Sequence, residues 1–182
     1  IERIPKDAPE EGWKLTREVK TGDFTLVDAK EGEELDKTKV SSMKSAFASP
    51  QFEDVLVEDT VEKPEAVTFK VETFDNFNYE VALNEKSDDN KYLLSVKVEG
   101  NFPKEREKAE DETEEDAKTK DEEFKDQLKE WKKKLKEEKR LEKWVFEARG
   151  YIADSINKAR ADILAEPEEE EAEEGAETPA NP

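Results

Sequence analysis

Neighbouring carboxylates are the residues whose type and spacing best suit acid–base chemistry, as in Glu53 with Asp54 and Asp88 with Asp89. Two carboxyl groups placed close together separate each other's pKa values, and some enzymes obtain an acid and a base in this way. Such pairs also arise by chance here, because 51 of the 182 residues are Asp or Glu. The chain has no His and no Cys, which removes the commonest general base, thiol nucleophiles and thiolate zinc sites. We therefore predict no catalytic residue, no cofactor and no metal site.

Two further polar motifs have a simpler interpretation as solvated surface. The turn at residues 87–90 offers oxygen ligands, but it lacks the spacing and the final bidentate Glu of a calcium loop. Residues 132–134 are three lysines, yet Glu130, Glu137 and Glu138 flank them and can pair with them along a helix. The chain carries 31 Lys and Arg against 51 Asp and Glu, and this net charge of −20 disfavours a nucleic-acid partner.

A regularly spaced set of large apolar residues in a highly charged stretch is the best candidate for a contact surface. Phe124, Leu128, Trp131 and Leu135 follow one another at steps of 4, 3 and 4 residues, which places them on one stripe of a helix. This stripe either folds back on its own domain or presents an apolar seam to a partner. We predict these four residues as candidates for contact with a partner protein or with a second copy of the chain.

The elements that would position these motifs begin with a β-hairpin predicted over residues 13–28. Trp13, Leu15, Arg17 and Val19 occupy alternate positions before a turn that contains glycine, and a second short strand follows this turn. Alternation of this kind indicates a strand with one buried face.

The same period of two recurs further along the chain and predicts an antiparallel meander. Its strands are predicted at residues 66–71, 77–83 and 92–98, and another strand is predicted at residues 144–148. Residues 52–57 are compatible with a strand or with a packed loop. The aromatic residues Trp13, Trp144 and Tyr151 are predicted to lie in the core.

Helical spacing predicts two helices outside the charged stretch, at residues 37–48 and 151–165, and Asp36 is a suitable N-cap for the first. The expected fold class is α+β, an antiparallel meander sheet of about five to seven strands with these two helices packed on it. A long charged helical insertion is expected between the last two strands.

Composition divides the chain into three parts. Residues 1–102 together with 144–166 are predicted to form the α+β domain. Residues 103–143 are predicted to be an insertion in a hairpin loop, which the fold tolerates because the entropy of loop closure grows only logarithmically with length. Residues 104–120 contain no large apolar side chain and are expected to be frayed or disordered, as is the acidic tail at residues 167–182.

The sequence contains no run of about 20 apolar residues, which a membrane-spanning helix would need. The chain opens at Ile1 within a predicted strand. We therefore expect a segment upstream, which could carry a membrane anchor.

The order of these elements resembles a bacterial domain-of-unknown-function family found beside auxiliary ABC-transport and gliding-motility proteins of the cell envelope. The resemblance covers most of residues 1–102 and 144–166, and the chain departs from the family pattern in the long charged stretch between Val98 and Trp144. The residues that carry the resemblance are Gly12-Trp13-Lys14-Leu15, Leu35-Asp36, Phe52-Glu53-Asp54-Val55, Tyr92, Trp144-Val145-Phe146 and Tyr151-Ile152-Ala153-Asp154-Ser155-Ile156.

This resemblance implies an N-terminal membrane anchor, a body outside the cytoplasm and no established activity. We therefore expect a non-enzymatic, periplasmic and membrane-tethered accessory or scaffold module of a cell-envelope assembly, which uses its inserted helix for protein contacts. One alternative is a structural protein that self-associates through the inserted helix. A second, weaker alternative is a carboxylate-based glycoside hydrolase, because that reaction needs neither His nor Cys.

Overall fold

The computed structural model describes residues 1–46, 51–57, 60–109 and 111–166. Within them the chain forms one antiparallel sheet of eight strands in the order β3-β2-β1-β5-β6-β7-β8-β4. The strands are β1 (Glu2–Pro5), β2 (Trp13–Thr16), β3 (Thr25–Leu26), β4 (Asp54–Val57), β5 (Val67–Glu72), β6 (Phe77–Leu83), β7 (Lys91–Gly100) and β8 (Trp144–Arg149). The helices are α1 (Lys37–Val40), α2 (Glu114–Glu138) and α3 (Gly150–Asp154). Short 3₁₀ turns span Pro9–Glu11, Ser41–Lys44, Lys139–Lys143 and Ala161–Ile163.

The predicted meander and the predicted site of the insertion are confirmed. Strands β5, β6 and β7 pair in sequence, and α2 lies between β7 and β8 in the chain. Tyr92 pairs with Ala148 and Leu94 pairs with Phe146, so the strands on either side of the insertion are neighbours in the sheet. The predicted fold class, α+β with an antiparallel sheet, is therefore confirmed, although the sheet has eight strands rather than five to seven.

The N-terminal hairpin forms, but its first strand is shorter than predicted. Leu15 pairs with Leu26, whereas β2 ends at Thr16 and Val19 is 57% exposed. Beyond Thr16 the Arg17 guanidinium stacks on the ring of Phe24, so this position is held by a side-chain contact instead of a strand ladder.

The predicted N-cap at Asp36 is also confirmed, because its carboxylate accepts hydrogen bonds from the backbone N–H groups of Thr38 (2.8 Å) and Lys39 (3.3 Å). The helix itself is shorter than predicted and continues only as a 3₁₀ turn to Lys44. Residues 47 and 48 of the predicted helix lie outside the described residues.

The helix predicted at residues 151–165 is wrong beyond Asp154, where α3 ends. The following segment is fixed by polar contacts to distant parts of the chain. The Arg160 guanidinium donates to the carbonyl oxygens of Gly12 (2.9 Å) and Asp28 (2.6 Å), and the Ile163 carbonyl accepts from the backbone N–H of Asp36 (3.0 Å). These tertiary contacts override the helical spacing of the apolar residues.

The predicted core position of Trp13 is confirmed, while those of Trp144 and Tyr151 are wrong. Trp13 is buried, and its indole N–H donates to the carbonyl oxygen of Lys158 (2.9 Å). Trp144 is 40% exposed because it is the first residue of β8, next to the edge strand β4, and Tyr151 is 63% exposed on the outer side of α3.

The core lies on one face of the sheet under α1, α3 and residues 155–163. Its largest members are Trp13, Phe24, Phe69, Met43, Leu15, Leu83 and Ile163.

The inserted segment is more ordered than composition suggests. Residues 104–120 are predicted to be frayed, but α2 begins at Glu114, where the Thr113 hydroxyl accepts from the Asp116 N–H (3.2 Å) as the N-cap. The Arg106 guanidinium pairs with Glu112 and with Asp121, both at 2.6 Å. This ion-pair cluster orders the start of the helix without any large apolar side chain. The predicted acidic tail at residues 167–182 lies outside the described residues.

Candidate functional site

The four predicted contact residues of α2 are all half-buried, and Leu128, Trp131 and Leu135 lie against their own chain. The Trp131 ring stacks on Phe102 with centroids 5.5 Å apart, and Phe102 in turn packs edge-on against Phe77 at 5.1 Å. Leu128 lies beside the same residues. Of the two arrangements open at the start, the stripe therefore adopts the one that folds back on its own domain.

Gly100, at the end of β7, makes this packing possible. A Cβ at that position would lie 2.4 Å from the Phe102 ring, which is closer than real contacts allow, and 3.1 Å from Leu135 Cδ2, which is a tight contact. A residue without a side chain is needed for the chain to turn Phe102 under Trp131. The inserted helix is thus packed against the last residues of β7.

Polar contacts hold the C-terminal end of α2 against the sheet. The Tyr79 hydroxyl donates to Glu138 Oε2 (2.5 Å), and Lys134 Nζ lies 4.5 Å above the centroid of the Phe77 ring. Burial, together with the hydrogen bond to Glu138, raises the pKa of the Tyr79 phenol well above its ordinary range. The backbone N–H of Val98 donates to Glu142 Oε1 (3.0 Å) just beyond the helix. These contacts fix the end of the insertion as a wall beside the sheet.

A cleft of about 920 Å³ opens between this wall and the opposite side of the core, and we call it the sheet cleft. Lys134, Glu138 and Leu141 form the wall on the side of the insertion, while Met43 and Ile152 belong to the opposite wall. The floor is apolar and comes from the strands β6, β7 and β8. Its residues are Tyr79, Val81, Leu83, Leu94, Val96 and Phe146. A cleft of this volume with an apolar floor is typical of sites for small ligands.

Some charged residues that line the sheet cleft alternate with buried strand residues and so face the other side of the sheet, namely Glu2, Lys14, Lys70 and Glu72. Others form ion pairs. Lys20 pairs with Asp75 (3.1 Å), and Lys134 pairs with Glu138 (3.5 Å). Arg17 also lines the cleft, and none of the carboxylates in the described part of the chain forms an ion pair with it.

Arg17 is held at the mouth by aromatic rings. Its guanidinium carbon lies 5.1 Å from the centroid of Phe24 and 5.8 Å from that of Phe74. Within the described residues its guanidinium makes one hydrogen bond, a long contact of 3.5 Å from Nη2 to the carbonyl oxygen of Lys44. A guanidinium carries five N–H donors, so most of those on Arg17 remain available to an anion.

A second apolar feature lies beside the cleft, where the sheet ends at β4. We call it the edge patch, and its members are each between 37% and 47% exposed. The edge patch consists of Phe52, Val55, Val57, Leu141 and Trp144.

The edge patch continues the floor of the sheet cleft. Val55 pairs with Phe146 and Val57 pairs with Trp144, so these side chains share the face that carries the floor. The Phe52 ring lies 4.5 Å from that of Phe146. The apolar surface therefore runs from inside the cleft onto the exposed edge of the sheet.

The carboxylate pairs of the sequence do not form an acid–base centre. The Glu53 carboxylate accepts hydrogen bonds from Arg149 and Lys91, which lower the pKa of Glu53, whereas a general acid needs a raised pKa. Asp88 and Asp89 lie in an exposed turn. Among the described residues no three acidic side chains converge as metal ligands.

Sequence reasoning missed both the sheet cleft and the edge patch. Arg17 gave one signal, because it occupies an inward position in the alternation of Trp13, Leu15 and Val19 where an apolar residue is expected. The edge patch gave none, since Val55, Val57 and Trp144 have the same pattern as buried strand residues.

None of the helices in the described part of the chain is both long and apolar enough to cross a membrane. Comparison of the chain with protein-family models, with curated proteins and with solved structures gives no match.

Proposed function

We propose that this protein is a non-enzymatic accessory or scaffold module of a bacterial cell-envelope assembly, and that it binds a partner protein through the edge patch. The observation that carries the proposal is the exposure of five large apolar side chains that adjoin one another through strand pairing, ring contact or the shared lining of the cleft around Phe146. Apolar patches of this kind, especially with a tryptophan, mark protein–protein contacts.

The inserted segment contributes to this surface through its end rather than through its apolar stripe. Leu141 follows α2 and is 42% exposed within the edge patch, while the stripe of Phe124, Leu128, Trp131 and Leu135 packs on the chain itself. The proposed role of the stripe is thus to hold Leu141 and the helix end in position. Direct contact between the stripe and a partner stays a prediction.

The location outside the cytoplasm rests on the resemblance of the element order to the envelope family. It is tested by expressing the full-length protein with a C-terminal epitope and treating spheroplasts with protease. Loss of the epitope while a cytosolic marker survives supports the proposed location. Protection of the epitope until the cells are lysed would contradict it.

The two alternatives have less support from the geometry. Self-association through α2 would need the apolar stripe, in which Trp131 already stacks on Phe102 and Leu135 lies beside Gly100. Sugar hydrolysis would need a carboxylic acid with a raised pKa near a second carboxylate. Of the carboxylates that line the cleft, Asp75 and Glu138 are instead paired with Lys20 and Lys134. Glu2 and Glu72 alternate with buried strand residues and face the other side of the sheet.

The partner contact is tested by site-specific photo-cross-linking in the cells that make the protein. A photoreactive phenylalanine derivative replaces Val57 in the edge patch or, as the matched control, Val27 beside the opposite edge strand β3. Both valines are exposed, by 47% and 55%, but Val27 lies outside the edge patch. We expect a discrete heavier adduct from position 57 only, and we expect Trp144→Glu to abolish it.

Other outcomes of the cross-linking decide against the proposal. An adduct with the mass of two copies identifies self-association instead. Equal adducts from positions 57 and 27 indicate non-specific contact, and no adduct from position 57 removes the edge patch as a partner site.

A further inference from the structure

We propose that the sheet cleft binds a fatty acid, with its carboxylate on Arg17 and its chain along the apolar floor. This site lies beside the edge patch, and the inference does not depend on the proposed partner protein. It assigns a ligand to the cavity and a role to the unpaired guanidinium.

The floor of the cleft suits a chain of methylene groups. Val81, Leu83, Leu94 and Val96 come from adjacent strands and point to the same side of the sheet, with Phe146 next to them on β8. This surface offers no charged group to a ligand, so removal of an apolar chain from water is the main source of binding free energy there.

Arg17 supplies the specific contact for the head group. The rings of Phe24 and Phe74 hold the guanidinium by cation–π contacts, which fix its position before any ligand arrives. A planar guanidinium with free N–H donors matches the two oxygens of a carboxylate in a bidentate pair. The protein as a whole carries a net charge of −20, so an anion needs such a local cation in order to bind.

The charge count at the cleft favours a carboxylate over a phosphate. Lys20 and Lys134 are paired with Asp75 and Glu138, and Lys44 pairs with Asp23 at 2.7 Å. The remaining lining lysines, Lys14 and Lys70, alternate with buried residues and so face the other side of the sheet. Among the described residues of the lining this leaves the Arg17 guanidinium and the Ile1 ammonium, and the ammonium already donates to the Leu15 carbonyl oxygen (2.8 Å). One guanidinium balances the single negative charge of a carboxylate, whereas a phosphate monoester carries nearly two.

The inference is tested by titration calorimetry of the full chain with dodecanoate, with dodecanol as the uncharged probe of the same length. We expect one dodecanoate to bind per chain, and Arg17→Gln to weaken it by about tenfold or more through loss of the charge-assisted pair. Dodecanol should bind wild type and Arg17→Gln alike. Arg140→Gln is the matched control, because it makes the same substitution at an exposed position that does not line the cleft, and it should leave dodecanoate binding unchanged.

A second variant tests the floor. Val96→Trp places a large ring in the cleft without burying a charge, and it should reduce the binding of both probes by about tenfold or more, since the space for the chain is lost. Circular dichroism and thermal melting establish that each variant is folded, and Arg17→Met, which also removes the charge, replaces Arg17→Gln if the latter is not.

Several results would overturn the inference: no binding of dodecanoate to wild type, equal binding to wild type and Arg17→Gln, or equal weakening by Arg140→Gln. The edge-patch variant Trp144→Glu should bind dodecanoate as wild type does. A failure of the partner-protein proposal is therefore distinguishable from a failure of this one.

Discussion

At the scale of single residues, Arg160 joins three parts of the chain that are far apart in sequence. Its guanidinium donates to the Gly12 carbonyl oxygen, which is 148 residues away, and to both the carbonyl and the carboxylate of Asp28. It also pairs with Glu33 at 2.6 Å. These bonds satisfy the donors of a cation that is almost fully buried, and breaking such an arrangement is strongly destabilising.

The carboxylate partner of Arg160 makes stability depend on pH. Hydrogen bonds from Arg160 and from the Lys30 backbone lower the pKa of Glu33 from 4.5 to about 2. A group with a lowered pKa in the folded state stabilises the fold above its unfolded-state pKa, and this contribution is lost as the pH falls toward the folded-state value. We predict that the unfolding free energy of Glu33→Gln falls less steeply than that of wild type as the pH decreases from 4.5 to about 2.

This prediction is checked with urea unfolding at a series of pH values. The difference in unfolding free energy between wild type and Glu33→Gln should be largest above pH 4.5 and should shrink toward pH 2. Glu31→Gln, at an exposed neighbour outside the contacts of Arg160, should follow wild type throughout. A constant difference across this range would contradict the assigned role of Glu33.

Local contacts at this scale were predictable from the sequence, and distant ones were not. Asp36 was identified as an N-cap because its partners, Thr38 and Lys39, are two and three residues away. The partners of Arg160 and the rings around Arg17 come from other segments, and no spacing rule connects them. The role of Arg17 in the sheet cleft was therefore missed, although Asp36 was correctly identified as a capping residue.

At the scale of elements, periodicity identified strands and the long helix better than short helices. The meander followed from a period of two, and the stripe from Phe124 to Leu135 correctly placed one face of α2. Residues 155–165 have a helical spacing of apolar residues, but Ile156 and Ile163 are buried from turns that follow the end of α3. Short helices depend on their tertiary contacts more than on their own sequence.

The first turns of α2 depend on Arg106. Its guanidinium pairs with Glu112 and Asp121 and donates to the carbonyl oxygen of Ala117 (3.0 Å). We predict that Arg106→Gln lowers amide-exchange protection by about tenfold or more in the first two turns of α2, because charge-assisted bonds are lost. The C-terminal half should keep its protection, because Trp131 remains stacked on Phe102.

Hydrogen exchange measured by mass spectrometry or NMR checks this prediction. Arg140→Gln is the matched control, since it removes the same charge from an exposed position after α2. Uniform loss of protection along the whole helix would show that α2 forms as one unit, and unchanged protection would show that the ion pairs do not order it.

At the scale of the whole molecule, the inserted segment is an addition to the sheet, because the strands on either side of it pair directly with each other. Strands β7 and β8 pair from Lys91 with Arg149 to Ser95 with Val145, and β7 then continues alone against β6 to Gly100. The insertion packs on this overhanging end. It covers Phe77, which is fully buried and contacts Phe102 and Lys134.

This arrangement predicts the effect of replacing residues 102–142 with a flexible linker of glycine and serine. About six residues suffice to return from Gly100 to the start of β8, at about 3.3 Å per residue. Because the entropy of a loop changes only slowly with its length, the shortened chain should still unfold cooperatively. Its unfolding free energy should be lower by about 2 kcal/mol, since Phe77 loses its cover.

Chemical denaturation and amide exchange of this shortened chain, compared with full-length Trp131→Asp, separate the two contributions of the insertion. Trp131→Asp removes the stack on Phe102 without changing the connection between β7 and β8, so it should reproduce most of the loss of stability. The pairing of β5 with β6 should stay protected in both variants, because Phe69 and Val81 lie in the core away from the insertion. A shortened chain without a cooperative transition would mean that the insertion is part of the folding unit. The wall that it forms beside the sheet cleft would then be inseparable from the fold.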